Sequence, residues 1–491
     1  MQIQIPPPHS YFTLGATASG TVTISTPLVF HTYQRNITTG LGSIPITGTY
    51  TGSPTAIQAN FNGGGWFTIA ASPGGGTYSG SLTGQTAGQG TLQVRFANDT
   101  SVTASVATIG IGDIYVCIGD SICKGSLSNN QSTVANGNGI TATCWESGAW
   151  KLANDPTISG GGGSFWPLVG TQLVAVTLTY PVGFINLGTG STGLYFPSTG
   201  TGVWVKGQSA YDNIAVEVTS AVIGEQPKGF LIHLGANDAA DPTTTPTLSV
   251  YSTLAAALVT NLRNDFSGCT VFWAQLGGLT SGTPPDRRSA IDNVRETIRV
   301  IWNTASGAWN GPVMYDINTD DGVHVTTNAK GLIVATRWAL AIIEKFYGGT
   351  LGTGRGPTAT SKTINGAKDR ITLTFYVPTQ PILPATDPAG WRVLDSGVLS
   401  GATVTATRLS NTQIRLSLSS AIVGTPTLSL GSNNDVADNG GAVLTEPTDS
   451  STNLLPAEAF IASVLATETT TMTPGSFGQP MNASHWDVVM A

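Results

Sequence analysis

The sequence predicts an α/β protein in which a three-layer α/β/α domain with a parallel sheet lies between N-terminal and C-terminal β-sandwich domains. Three observations support this class. Short alternating polar and apolar stretches fill the first part of the chain, compact apolar strands alternate with helical patterns in the middle, and alternating stretches return afterwards. Strand–helix alternation is typical of a parallel sheet with helices on both faces.

The domain boundaries are predicted from these changes of pattern. The divisions are an N-terminal β-sandwich domain over 1–110, the α/β domain over 111–349, a linker over 350–357, a C-terminal β-sandwich domain over 358–465 and a tail over 466–491. The linker is rich in glycine, and the tail is polar and almost unpatterned.

The elements of the middle domain are predicted from the same patterns. Apolar runs predict strands at 114–118, 182–187, 229–234, 270–275 and 312–316. Apolar residues spaced by three and four predict helices over 248–262 and 291–301, and a third helix is predicted over 330–347.

Composition excludes several partner classes. Lys and Arg number 21 against 28 Asp and Glu, so the net charge is −7, and charged residues make up only 10% of the chain. This balance predicts neither nucleic acid nor an anionic membrane as a partner. No apolar run is long enough to span a bilayer, and no signal peptide is visible. We therefore expect an extracellular or virion-associated protein that leaves the cell by another route, the alternative being retention in the cell.

The four cysteines do not predict a metal site. They form no C-x-x-C pair and accompany no histidine cluster. Cys117 and Cys269 lie in or beside apolar runs and are predicted to be buried thiols. Cys123 and Cys144 bracket a loop, where a disulfide and two free thiols are equally compatible with the sequence.

Four short segments carry groups that acyl transfer needs. In chain order they are Gly119-Asp120-Ser121, a Gly-rich turn with Gly190, Gly235-Ala236-Asn237-Asp238 and Asp321-Gly322-Val323-His324. Three of them directly follow apolar runs. In parallel sheets, sites form at the carboxyl ends of strands, so we expect these segments to meet.

Each segment is assigned a role by its chemistry. Ser121 is the predicted nucleophile, and it needs a base to take its proton. His324 is the predicted base, and Asp321 is predicted to hold its tautomer, with Asp316 and Asp320 as alternatives. The predicted oxyanion donors are the backbone N–H groups of Ser121 and Gly190 and the side-chain amide of Asn237. His233 also ends an apolar run and is the rival base.

Two other motifs are rejected on the sequence. Residues 188–193 match G-x-G-x-x-G, with Asp212 near the spacing of a ribose-binding acid, but no helix pattern follows, which argues against a dinucleotide site. The chain contains no G-x-S-x-G, so the nucleophile elbow of α/β-hydrolases is missing.

The four segments resemble the four sequence blocks of the SGNH, or GDSL-type, hydrolase superfamily. Ser121, Gly190, Asn237 and His324 match its serine, glycine, asparagine and histidine, and Asp321 matches the acid of D-x-x-H. Residues 111–116, 150–152, 164–166 and 180–186 are similar to the sialate O-acetylesterase-like carbohydrate acetylesterases. The second block reads Gly190-Ser191-Thr192, which leaves Gly188 as an alternative donor.

The resemblance implies a flavodoxin-like SGNH-hydrolase domain and a carboxylic ester hydrolase that needs no metal or cofactor. We expect hydrolysis of O-acetyl esters on an oligo- or polysaccharide. Four side chains are predicted to contact the substrate: Asp120, Trp166, Tyr195 and His233. The alternatives are an SGNH lipase or thioesterase acting on short acyl esters, and a non-catalytic virion or surface glycan-binding protein with a relic SGNH domain. A homo-oligomer, or attachment to a larger particle, is also compatible with the flanking domains.

Overall fold

The computed structural model describes residues 20–195, 200, 202–240, 247–279, 285–314, 317, 319–349, 357–376, 391–396, 398–430 and 460–463. Over these residues the chain has a mixed α/β architecture with one large, mostly parallel sheet in its middle. Helices cover that sheet, and antiparallel strands precede and follow it.

The N-terminal part is all β. Its strands are β1 Thr21–Val22, β2 Thr32–Gln34, β3 Leu41–Thr51, β4 Ala56–Phe61, β5 Phe67–Ala71, β6 Thr77–Thr86, β7 Gly88–Phe96 and β8 Thr103–Gly119. β1, β3 and β6 form a three-stranded sheet, while β2, β4, β5 and β7 belong to the sheet that contains β8. Alternate residues of β3 are buried, and they share one apolar core with β4 and β7. The period-two pattern therefore predicted strands in this part correctly.

Strand β8 joins the N-terminal part to the middle of the chain. Its first half pairs antiparallel with β7, and its second half pairs parallel with β11 on one side and β12 on the other. The boundary predicted at residue 110 thus falls inside a 17-residue strand. The two parts share one sheet, which has 11 strands over the described residues.

The parallel region follows the strands predicted from apolar runs, with one exception. The order is β10-β9-β11-β8-β12-β13-β14, where the new strands are β9 Thr143–Glu146, β10 Ala149–Leu152, β11 Val182–Asn186, β12 Gly229–His233, β13 Thr270–Trp273 and β14 Ala308–Asn310. Every residue of β11, β12 and β13 is buried, so both faces of the sheet are covered. The strand predicted at 312–316 is not found over 312–314, because β14 ends at Asn310 and Pro312 has no N–H to continue the ladder; residues 315 and 316 lie outside the described residues.

Seven helices lie in the described part of this region. They are α1 Ser121–Lys124, α2 Trp166–Thr177, α3 Ser209–Ala221, α4 Ala236–Ala240, α5 Leu248–Asp265, α6 Pro285–Thr304 and α7 Asn328–Phe346. The three predicted helices correspond to α5, α6 and α7. Strands that come later in the sequence lie on both sides of β8, so the strand order reverses there. In parallel sheets, ligands bind at the carboxyl ends of the strands at such a switch point. No described helix is long and apolar enough to cross a bilayer.

A buried carboxylate ties the N-terminal strands to the end of α7. Asp113 on β8 is 0% exposed and accepts two hydrogen bonds of 2.8 Å from the guanidinium of Arg35, which follows β2. Tyr347, just after α7, donates to the same carboxylate at 2.9 Å. A buried charge is stable only when it is paired in this way, so this cluster fixes the N-terminal strands to the α/β region.

The described C-terminal part is also antiparallel. It contains β15 Thr358–Ile364, β16 Arg370–Tyr376, β17 Trp391–Asp395, β18 Val398–Leu399, β19 Val404–Arg408, β20 Gln413–Leu418, β21 Pro426–Leu430 and β22 Phe460–Ser463. These strands form two four-stranded sheets over the described residues. Almost all of the predicted linker and the whole predicted tail lie outside the described residues, as does the boundary at 465.

The thiols are free in the structure. All four cysteines are buried and unpaired by disulfides. Of the two alternatives for Cys123 and Cys144, the structure therefore shows free thiols.

Candidate active site

The predicted nucleophile lies at the point where β8 ends. Gly119 has φ 152°, and a Cβ there would lie 1.9 Å from the carbonyl oxygen of His233, so the close approach of β8 and β12 requires glycine. Asp120 then caps α1 by accepting the backbone N–H of Ile122 at 3.1 Å. Ser121 follows as the first helical residue, half-buried, and its N–H has no partner within the helix.

The structure brings Ser121, His324 and Asp321 together. Ser121 Oγ lies 2.7 Å from His324 Nε2, and His324 Nδ1 lies 2.8 Å from Asp321 Oδ2. The other carboxylate oxygen of Asp321 accepts the backbone N–H of His324 at 2.7 Å and that of Val323 at 3.0 Å. Burial raises the pKa of Asp321, but these hydrogen bonds outweigh it, and the pKa lies below its ordinary value. The ionised carboxylate can therefore hold a proton on Nδ1, which leaves Nε2 free to accept from the serine.

Of the two alternative orienting acids, Asp320 has other partners. Asp320 accepts the backbone N–H groups of Thr326 and Thr327 at 2.7 and 3.0 Å and pairs with Lys330. Burial raises its pKa, yet these contacts together lower the pKa to about 2. Asp320 thus holds the loop that carries His324. Asp316 lies outside the described residues.

Of the predicted oxyanion donors, Gly190 borders the nucleophile and Asn237 is bonded to the loop that carries Gly190. A Cβ at Gly190 would lie 3.9 Å from the Ser121 Cβ, with no closer neighbour, so the bare backbone borders the nucleophile. The Asn237 amide donates to Thr192 O at 2.9 Å and retains a second N–H. Gly188 is a poor donor, because its N–H is bonded to Asn186 Oδ1 at 3.0 Å and a Cβ there would clash with Lys124 N at 2.3 Å.

Asp238 is a positioning residue to which the sequence analysis assigned no role. It is 4% exposed and accepts the backbone N–H groups of Leu194 and Tyr195 at 3.1 and 2.9 Å. Burial raises its pKa to about 7. Asn237 and Asp238 together bind the loop of Gly190 to α4. The two candidate oxyanion donors, Gly190 and Asn237, are therefore held in a fixed relation to each other. The sequence feature that could have predicted this role is an acid directly after the asparagine, in a turn at the end of a strand.

Two of the predicted substrate contacts do not fit the structure. Asp120 is 0% exposed, and its second oxygen accepts the backbone N–H of Ala236 at 3.2 Å; burial raises its pKa to about 6. Trp166 is also 0% exposed and donates its indole N–H to Cys123 O at 2.8 Å. A substrate cannot reach either side chain, because both are fully buried. Each instead supports the turn that carries Ser121.

Other aromatic residues that the sequence places between the four segments divide in the same way. Trp150 and Trp204 are buried, at 6% and 0% exposure, and serve the core. Tyr195 is half-buried on the loop of Gly190, where its backbone is held by Asp238. Tyr195 is therefore the predicted aromatic contact that stays open to a ligand. Phe196 lies outside the described residues.

His233, the rival base, makes no hydrogen bond to Ser121 among the described contacts, because Ser121 Oγ is bonded to His324. It is 1% exposed, its ring lies 5.5 Å from that of Phe165, and its Nδ1 is buried with no hydrogen-bond partner among the described residues. Burial lowers its pKa to about 3. His233 therefore remains neutral, and it is not the base for Ser121.

The lowered pKa of His233 predicts that this residue makes the fold less stable at acid pH. Folded His233 stays neutral down to about pH 3, whereas the unfolded residue protonates below about 6.5, so its contribution to stability is lost as pH falls through that window. We expect His233→Phe to reduce the loss of unfolding free energy between pH 7.5 and 4.5 by about 2 kcal/mol. Urea unfolding at the two pH values measures this. An equal loss in parent and variant would show that the residue is not buried and neutral.

The amide of Asn237 is expected to contribute to ester hydrolysis through its free N–H. Asn237→Ala removes that donor, and we expect kcat to fall about 10²- to 10³-fold with KM little changed. Steady-state kinetics on 4-nitrophenyl acetate measure the effect. Asn138→Ala is a matched control, because the side-chain amide of Asn138 donates to the backbone carbonyl of Leu178, at the end of α2, and to no group of the candidate site. Equal losses in the two variants would contradict the role of Asn237.

The arrangement as a whole can perform nucleophilic acyl transfer. It combines a hydroxyl, a base within hydrogen-bond distance and an acid that orients the base, and the two candidate oxyanion donors Gly190 and Asn237 lie on connected segments. Among the described residues no group of three or more His, Cys, Asp or Glu side chains could hold a metal ion.

Comparison with known proteins identifies the fold. No family model matches the chain, and no curated protein matches it. Among solved structures, the chain is similar to XAC1771, a novel carbohydrate acetylesterase from Xanthomonas citri, with a TM-score of 0.59 at 18% identity. The match covers 91% of this chain and 100% of that chain. It confirms, at the level of the fold, the predicted resemblance to carbohydrate acetylesterases.

Two further solved structures match over shorter ranges. A lipase/acylhydrolase from Enterococcus faecalis matches at 15% identity over 48% of this chain and 96% of its own, with a TM-score of 0.31. A family two carbohydrate esterase from Clostridium thermocellum matches at 15% identity over 62% of this chain and 92% of its own, also with 0.31.

Proposed function

We propose that the chain is a serine ester hydrolase that removes O-acetyl groups from a carbohydrate. The observation that carries the proposal is the continuous chain of two hydrogen bonds from Ser121 Oγ through His324 to Asp321, at 2.7 and 2.8 Å. Such a chain couples a hydroxyl to a base of fixed tautomer, and this converts a weak nucleophile into an effective one.

In the first half-reaction Ser121 becomes acylated. Its Oγ attacks the ester carbonyl carbon while His324 Nε2 takes the hydroxyl proton, and Asp321 stabilises the imidazolium that results. The carbonyl oxygen becomes an oxyanion facing the N–H groups of Ser121, Gly190 and Asn237. The intermediate then collapses, and the sugar hydroxyl leaves with the proton from His324.

In the second half-reaction water replaces the sugar. His324 Nε2 takes a proton from water as the water oxygen attacks the acyl carbon on Ser121. The second oxyanion uses the same donors, and collapse releases acetic acid and returns the proton to Ser121 Oγ. Both the serine and the histidine are half-buried, which leaves the site open to an incoming ester and to water.

The carbohydrate part of the proposal is supported by the fold. The chain shares its architecture over almost its full length with a protein described as a carbohydrate acetylesterase. One fold can host many functions, so the similarity supports a carbohydrate substrate by analogy with that protein. We propose that the N-terminal and C-terminal strand-rich parts form β-sandwich modules that hold the enzyme on a polymer or on a larger extracellular or virion particle.

Acetate release tests this function directly. The parent chain and Ser121→Ala are incubated with 4-nitrophenyl acetate and with a panel of acetylated polysaccharides, and released acetate is quantified. We expect the parent to release acetate from the small ester and from at least one polysaccharide, and the variant to release none above background. A correctly folded parent that hydrolyses none of them would overturn the proposal and favour a glycan-binding protein.

A further inference from the structure

One buried side chain joins the helix of the candidate nucleophile to the turn that carries Gly190. Asn186 is the last residue of β11 and is 2% exposed. It is a polar residue at the end of a strand whose other members are apolar or glycine, and no role was assigned to it from the sequence. A buried amide is almost always hydrogen-bonded on both sides, so its partners show which segments it holds.

The amide nitrogen of Asn186 binds the end of α1. Nδ2 donates to the carbonyl oxygens of Cys123 and Lys124, both at 3.3 Å, and to Thr157 Oγ1 at 2.9 Å. The two protons of the NH₂ group serve three acceptors, so at least one proton is shared. The last carbonyl groups of a helix have no partner within the helix, and Asn186 supplies one from outside. Asn186 therefore fixes the C-terminal end of the helix that begins with Ser121.

The amide oxygen of Asn186 binds the turn that follows β11. Oδ1 accepts the backbone N–H of Gly188 at 3.0 Å. Gly188 packs directly against α1, because a Cβ at this position would lie 2.3 Å from Lys124 N. Two residues further along, the same turn reaches Gly190. One planar amide thus connects the segment of Ser121 to the segment of Gly190.

α1 depends on contacts of this kind for its position. It has four residues, and so short a helix has little stability of its own. Its N-terminal end is capped by Asp120, whose carboxylate also accepts the N–H of Ala236 in the turn of Asn237. Its C-terminal end is held by Asn186 and by the indole N–H of Trp166. Asp120 therefore connects α1 to the turn after β12, and Asn186 connects it to the turn after β11.

We propose that Asn186 is a positioning residue for ester hydrolysis. It sets the separation between Ser121 Oγ and the backbone N–H of Gly190, and so the strength with which that N–H stabilises the oxyanion. Gly190 borders Ser121 with no side chain between them, so a shift of either segment changes this separation directly. A misplacement of about 1 Å costs about 10²-fold in rate. This inference rests on the proposed ester hydrolysis and adds to it a residue that touches neither the substrate nor the reacting atoms.

Asn186→Asp tests the inference. The substitution keeps the size of the side chain and the acceptor for Gly188, but it places an oxygen against the carbonyl oxygens at the end of α1. We expect kcat on 4-nitrophenyl acetate to fall about 10- to 100-fold, with KM within a factor of about three of the parent value. Asn186→Ala loosens both segments without burying a charge, and we expect the same split between kcat and KM.

Inhibition by phenylboronic acid separates positioning from a folding defect. Ser121 Oγ bonds to the trigonal boron while its proton passes to His324, and the tetrahedral boronate that forms has an oxygen in the place of the oxyanion. The inhibition constant does not depend on the fraction of folded enzyme, so a folding defect alone leaves it unchanged. We expect this constant to rise about ten-fold in Asn186→Asp and Asn186→Ala. An unchanged constant in both variants would overturn the role of Asn186.

Asn136 provides a matched control. Its Nδ2 donates to Val174 O at 2.7 Å and to Leu178 O at 3.1 Å, at the end of α2, and its Oδ1 accepts the N–H of Ile140 at 3.1 Å. Asn136 thus joins a helix end to a turn as Asn186 does, but its described hydrogen bonds reach no group of the candidate site. Asn136→Asp should change kcat and the inhibition constant by less than a factor of about two. A rise in the inhibition constant equal to that of Asn186→Asp would contradict a role specific to Asn186.

The parent chain separates this inference from the proposed function. Hydrolysis by the parent that depends on Ser121, combined with equal inhibition constants in the parent and the Asn186 variants, would overturn the role of Asn186 and leave the proposed function standing. A folded parent that hydrolyses no ester and does not bind the boronic acid would overturn both.

Discussion

Replacement of Ser121 by alanine is expected to lower kcat/KM for ester hydrolysis by about 10⁴- to 10⁶-fold. The hydroxyl oxygen of Ser121 forms the covalent bond to the acyl group. Without that hydroxyl, His324 has no nucleophile to activate. The residual rate would come from water held near the remaining donors. The side chain of Ser121 makes its hydrogen bond to His324 alone among the described contacts, so folding should be unaffected.

Kinetics on 4-nitrophenyl acetate, together with thermal unfolding, separate chemistry from stability in this variant. Ser128→Ala is the matched control, because Ser128 is an exposed serine in the loop that follows α1. We expect the control to retain activity within a factor of about two, as is usual for exposed positions. Comparable activity in Ser121→Ala and the parent would exclude Ser121 as the nucleophile.

Replacement of Asp321 by asparagine is expected to lower kcat by about 10³- to 10⁴-fold while the fold is kept. The oxygen of the new amide must still accept the backbone N–H groups of Val323 and His324, as Asp321 Oδ1 does now. The amide N–H₂ then faces Nδ1 of His324 and donates to it. The proton of the imidazole is forced onto Nε2, where it prevents acceptance of the Ser121 proton.

The neighbouring acid provides the control for this prediction. Asp320→Asn makes the same substitution one residue earlier, at a carboxylate that bonds Thr326, Thr327 and Lys330 instead of the imidazole. We expect a smaller loss of kcat, because only the loop is loosened. A loss in Asp320→Asn that equals the loss in Asp321→Asn would show that loop stability, and not the tautomer, decides the activity.

The sequence predicted much of the parallel sheet because its strands are continuous apolar runs. β11, β12 and β13 are buried on both faces, and such strands can be recognised without knowledge of their partners. The segments of Ser121 and Asn237 were predicted to meet for a related reason, since they follow strands whose ends lie at one edge of a parallel sheet. Local order along the chain was enough in both cases.

Features that depend on distant contacts were not predictable in the same way. The continuation of β8 across residue 110 depends on which strands pair on each side of it, and no local pattern encodes that choice. The burial of Asp120 and Trp166 likewise depends on what packs over α1. A polar or aromatic residue next to a nucleophile can face the substrate or support the turn, and the sequence alone does not distinguish these.

Covalent labelling tests the central claim, that Ser121 is the activated nucleophile, most directly. The parent chain is treated with an organophosphate that transfers its phosphoryl group to activated serines, and intact mass and peptide mass are measured. We predict one adduct per chain, on the peptide that contains Ser121, with hydrolysis lost in parallel and no adduct in Ser121→Ala. An adduct on another residue, or full labelling of Ser121→Ala, would contradict the account.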